Sequence, residues 1–110
     1  MSGLGRMSFH EANVIQFIKR DDVLYLELDG VLVGRNKLRV ALKISSVSCV
    51  KVDGEFPDRP LMELNDGEVL SLDVNESGIS IVIEWNDFPL GVSVTREYRI
   101  SGGGVSVAEI

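Results

Sequence analysis

The chain has 110 residues, 45% of them hydrophobic and 25% charged, the size and make-up of one globular domain rather than of a disordered, fibrous or two-domain protein. Its formal net charge is −6, and no apolar run approaches the roughly 20 residues that a bilayer-spanning helix requires. Cys49 is the only cysteine, and Met1 to Arg6 place no apolar segment behind a basic one, so no internal disulfide is possible and the cytoplasm is the expected location. Residues 1–8 are expected to be a flexible N-terminus, and residues 9–110 a single domain.

Apolar residues recur with period two, and the segments between them are rich in Gly, Asp and Asn, which predicts strands and no helix. The first strand spans Ala12 to Ile18, with Val14 and Ile18 on one face and Ile15 and Phe17 on the other. A second runs from Val23 to Leu28, where Leu24, Leu26 and Leu28 alternate with polar positions. Asp29-Gly30 bends or bulges it before Val31 to Val33. After the turn Gly34 to Lys37, Leu38, Val40, Leu42 and Ile44 form one apolar stripe. Ser45-Ser46 interrupts this stripe, and Val47 to Val52 either continues the strand or turns a corner into a second layer.

Asp53 to Pro60 is expected to be a loop, since Gly54, Pro57 and Pro60 break ladders and helices alike. Asn65-Asp66-Gly67 is a tight-turn signal, and predicts a hairpin between Leu61 to Leu64 and Glu68 to Val74. Past the turn Asn75 to Gly78, residues Ile79, Ile81, Ile83 and Trp85 share a face. Val92, Val94, Tyr98 and Ile100 share another, interrupted by Arg96. A flexible hairpin connection at Gly102 to Gly104 leads to a last short strand, Val105 to Val107. About eight short, mainly antiparallel strands with regular turns predict an all-β sandwich or small barrel.

Charge is uneven along the chain. Lys51 to Val94 holds two basic and ten acidic residues, a net of −8, whereas residues 1–50 hold seven basic and five acidic. Phosphate backbones and anionic membranes repel such a surface, so nucleic acid and membrane are excluded as expected partners and a basic protein fits best.

Catalytic chemistry has little to draw on. His10 is the only histidine, no Gly-x-Ser-x-Gly elbow accompanies it, and no zinc or EF-hand spacing occurs. Gly102-Gly103-Gly104 lacks the helix that a phosphate cradle needs. No enzyme activity, cofactor or metal is expected.

The candidate partner-binding residues are Glu84, Trp85, Asn86, Asp87 and Phe88, where aromatic groups stand beside carboxylates at a strand end, together with Asp66 and Glu68. Trp85 is either an exposed anchor there or the fourth member of the buried Ile79 stripe. Arg96 calls for a carboxylate such as Glu84, or for a place at an edge or groove.

The opening Phe9-His10-Glu11-Ala12-Asn13-Val14-Ile15, followed by Leu24-Tyr25-Leu26-Glu27-Leu28, resembles small bacterial all-β families that include immunity proteins of polymorphic toxin systems. Glu11 stands where those families usually have Asp. The resemblance covers the first third of the chain and implies a non-enzymatic protein that neutralises a toxin by covering its active surface. Exposed strand edges supply an alternative, a structural module that assembles into a homodimer or larger oligomer, and a closed barrel a third, a small-ligand carrier.

Overall fold

Backbone groups in the alternating segments find their partners across strands, and nine strands form among the residues that the computed structural model describes, 7–56 and 61–110. They are β1 (Met7–Ser8), β2 (Asn13–Arg20), β3 (Val23–Val33), β4 (Asn36–Ser45), β5 (Cys49–Val52), β6 (Asp66–Asn75), β7 (Gly78–Asp87), β8 (Val92–Ser101) and β9 (Gly104–Glu109). All pair antiparallel in the order β5-β8-β7-β6-β2-β3-β4-β9, with β1 on β3 beyond the end of β2. The sheet is not closed into a barrel. Of the expected flexible N-terminus, Met7 and Ser8 are strand and residues 1–6 lie outside the described residues.

This one sheet folds into two facing layers because its central seam is short. β2 and β6 share a single bridged pair, Asn13 with Glu68. Past it each strand carries a bulge, at Ile15 in β2 and at Leu70 in β6. A bulge bends its strand and adds local twist, so the layer β2-β3-β4-β9 turns away from the layer β6-β7-β8-β5. The bulge at Ile15 also resets the alternation. Val14 and Phe17 point inward while Ile15 is 44% exposed, whereas unbroken period two would pair Val14 with Ile18.

At the opposite side the chain crosses between layers twice. Ser46 adopts a left-handed conformation (φ 50°) between β4 and β5, so Val47 to Val52 turns the corner into the second layer. Gly102-Gly103 carries β8 into β9 alongside. Ser48 N–H donates to Ser101 C=O at 2.9 Å, and Gly103 N–H to Ser45 C=O at 2.7 Å. The two connections therefore run as one bent ribbon. A Cβ on Gly102 would lie 2.6 Å from the Ser45 oxygen, so that position needs glycine. The glycine run is thus a corner between layers and not a hairpin, since β8 pairs with β5 and β7, and β9 with β4.

The core lies between the layers. Leu24, Leu26, Leu28, Val31, Val40, Leu42 and Ile44 face Val69, Ile79, Ile81, Ile83, Trp85, Tyr98 and Ile100, all buried. Each contributes about 1.5–3 kcal/mol by leaving water. Phe17 meets Tyr98 edge to face, with ring centroids 5.0 Å apart, and so joins the layers directly.

Asn65-Asp66-Gly67 departs from the sequence expectation. Leu61 to Leu64 is not a strand, and Asp66 and Gly67 already belong to β6. Gly67 sits opposite Trp85, and a Cβ there would lie 2.5 Å from the indole Cζ3. The glycine makes room for the indole instead of forming a turn. Replacing Gly67 with Ala should therefore displace Trp85 and cost about 1–3 kcal/mol, as overpacking does; a lowered denaturant midpoint with altered Trp fluorescence is the expected reading, and an unchanged midpoint would show the indole to be loosely held.

Candidate protein-interaction surface

Hairpin β7–β8 and its neighbour β6 place most of the sequence candidates on one outer face. Across β6 and β7, Asp66 stands opposite Asn86 and Glu68 opposite Glu84, while Thr95 of β8 flanks Glu84 on its other side. Asn86 Nδ2 lies 3.5 Å from Glu84 Oε1. Two carboxylates directly opposed across strands repel each other, so Glu68 and Glu84 make this face both acidic and locally unfavourable.

Trp85 does not belong to that surface. Period two sends it inward between Glu84 and Asn86, and it is fully buried. Its indole N–H donates to the Tyr98 hydroxyl at 2.7 Å, and that hydroxyl donates to the Leu61 carbonyl at 2.8 Å. Both polar ends of the two largest core side chains are thereby satisfied, which a buried position requires. Trp85 is a core residue and cannot serve as an exposed anchor.

The exposed apolar groups lie one step further, in the turn. Phe88 is 71% and Leu90 75% exposed, and Val92 projects beside them at the start of β8. The turn itself is held. Asp87 Oδ1 accepts a hydrogen bond from Leu90 N–H at 3.2 Å, and Phe88 C=O accepts one from Gly91 N–H at 3.2 Å, with Gly91 in the left-handed region (φ 67°). Asp87 is thus the clamp of the tip as well as one of its charges. Leu90 closes the segment Glu84 to Leu90 that its aromatic and acidic residues mark in the sequence, and Val92 lies just beyond it. The signal that locates Leu90 is its place between Pro89 and Gly91, which forces that stretch into a turn.

Arg96 takes a different partner from Glu84. Its guanidinium reaches Asp53 Oδ2 at 3.0 Å and Glu63 Oε1 at 3.3 Å, on the core-side face of β8 where the apolar cover ends. Hydrogen bonds to Asp53 first and Glu63 second raise its pKa further above the ordinary arginine value. Asp53 also accepts a hydrogen bond from Glu97 N–H at 2.8 Å through its other oxygen. Two carboxylates of the acidic stretch therefore serve the fold.

His10 Nδ1 lies 3.0 Å from the Leu70 carbonyl, at the β6 bulge. Cys49 is a half-buried free thiol. Among the described residues no group of three or more His, Cys, Asp or Glu side chains is gathered to hold a metal ion, and no helix is long and apolar enough to cross a membrane. No protein-family model matches the chain, nor does any curated protein or any solved structure.

The Tyr98 hydroxyl has a measurable consequence. Burial raises its pKa from 10.0 to about 12, against an opposing effect of the Trp85 hydrogen bond. The folded chain then keeps a proton that the unfolded chain releases from about pH 10, so this contribution to stability is complete below pH 10 and is lost as pH rises to 12. Tyr98→Phe should remove that alkaline loss. At neutral pH it should cost about 1–3 kcal/mol, because the Trp85 N–H and Leu61 C=O both lose their partner. Urea titrations of both chains between pH 7 and 12 measure the two effects; parallel alkaline curves would contradict the assignment.

Proposed function

We propose that this chain is a protein-binding domain that engages a basic partner through the Phe88–Leu90 tip and the acidic face of Asp66, Glu68, Glu84 and Asp87. The observation that carries the reading is the tip itself. Single exposed apolar residues are ordinary, but here two large ones project from a turn whose backbone is already fixed by Asp87 and Gly91. An anchor ordered before binding loses little conformational entropy on docking.

The surrounding charge supports a basic partner. Glu68 and Glu84 repel each other in the free chain, and an Arg or Lys placed between them would relieve that cost while steering approach. Basic proteins include many toxins that attack nucleic acids, and the resemblance of Phe9 to Ile15 to toxin-immunity families leads to a toxin as the class of partner. The role is occlusion of that partner's surface, with no chemistry on this chain.

Two variants separate binding from folding. Phe88→Ala with Leu90→Ala should leave the unfolding midpoint unchanged, since both side chains face solvent, yet weaken binding by at least about 2 kcal/mol. Glu84→Gln should stabilise the free chain by about 0.2–1 kcal/mol while flattening the salt dependence of the complex. The ligand for both measurements is a basic protein that the wild-type chain retains at low salt from extracts of its own cells. Equal retention by the tip variant would exclude the tip as the binding surface.

A further inference from the structure

We propose that β9 is a self-complementary edge through which two copies of this chain pair antiparallel, joining their β2-β3-β4-β9 layers into one continuous sheet. Among the described residues, β9 bonds only to β4. Ile110 N–H donates to Arg39 C=O at 2.8 Å. Antiparallel ladders alternate, so Ser106 and Ala108 also direct their backbone groups at β4. Val105, Val107 and Glu109 direct theirs to the unpartnered side.

Edges of this kind are usually defended by a lysine, a proline, a bulge or extreme shortness. Gly104-Val105-Ser106-Val107-Ala108-Glu109 has no lysine, proline or bulge, its one charge, Glu109, stands at its end beyond the Gly104–Ala108 stretch, and its register with β4 is unbroken. The other edge strand, β5, is only four residues long, and the chain folds back on it through a bridge from Val52 to Glu55.

The occupant follows from the sequence of the strand. Around Ser106 it reads small, Val, Ser, Val, small in both directions. A two-fold axis at Ser106 sets Val105 against Val107 of the second copy, Gly104 against Ala108, and Ser106 against itself. Each Val105–Val107 pair then exchanges both backbone hydrogen bonds with the groups that β4 leaves unused. Their side chains, already packed on the core from one side, gain an apolar neighbour. Ser106 falls in a pair without backbone bonds, where facing side chains are closest.

Charge permits the approach. Ser106 lies opposite Lys43, and Arg39 follows on the same strand, while the acidic residues of β6 and β7 occupy the outer face of the other layer. Two copies joined along β9 thus keep their strongly negative faces apart. This pairing uses no residue of the tip and stands independently of the proposed partner binding.

Sedimentation equilibrium of the full chain tests it, and twice the chain mass is expected as concentration rises through the micromolar range. Ser106→Glu should weaken the dimer at least about tenfold, because the introduced carboxylates face each other across the axis. Within each chain the same carboxylate faces Lys43, so the monomer's unfolding midpoint should hold or rise. In a Cys49→Ser background, Ser106→Cys should form a covalent dimer under mild oxidation and Ala108→Cys should not, since Ala108 meets Gly104. A chain that stays monomeric, a dimer indifferent to Ser106→Glu, or equal cross-linking at both positions would each overturn the proposal.

Discussion

The hydrogen-bond relay from the Trp85 indole through the Tyr98 hydroxyl to the Leu61 carbonyl organises more of this molecule than any other contact. Leaving a buried donor or acceptor unmade costs about 1–3 kcal/mol, and the relay satisfies an indole, a phenol and a main-chain carbonyl in sequence. It also sets what surrounds it. Gly67 must be glycine because the indole lies against it. Phe17 meets the same tyrosine ring from the opposite layer. With Leu61 held, Glu63 two residues on reaches Arg96, which Asp53 meets from the other side.

A second constraint decides the shape. One sheet of this length would twist open if its strands paired throughout. Here β2 and β6 share one bridged pair and then part at their bulges, so the sheet doubles over and encloses its apolar side. That fold also sorts the charge. β6, β7 and β8 turn Glu68, Glu84 and Glu97 outward, while β4 turns Arg39 and Lys43 outward on the other layer. The imbalance along the chain becomes an imbalance between two faces.

Much of this was legible in the residues. The stripes Leu24 to Leu28, Val40 to Ile44 and Ile79 to Trp85 fall on the core because strict alternation admits only two faces, whereas Glu68 comes opposite Glu84 only because the bulge at Leu70 shifts the β6–β7 register by one residue. What was not legible depends on contacts distant in sequence. The bulge at Ile15 breaks the period without leaving a mark in residue type. Asp66-Gly67 carries the chemistry of a turn, and only the indole eighteen positions later shows why the glycine belongs in a strand. Arg96 could be assigned a carboxylate in principle, but Asp53 and Glu63 reach it through loops whose path no periodicity describes.

The geometry of β8 ties the two proposed surfaces together. Its first residue follows the apolar tip and its last leads into the corner that starts β9. Ten residues of strand at about 3.3 Å each put roughly 30 Å between them. The β9 pairing uses no residue of the tip, so a dimer joined there would carry two tips. A ligand with two matching sites, or two ligands on one assembly, would then gain from effective concentration without any new contact. The edge lies beside Lys43 on the basic face, and the tip is fenced by Asp87 and Asp66. Each is matched to a different surface.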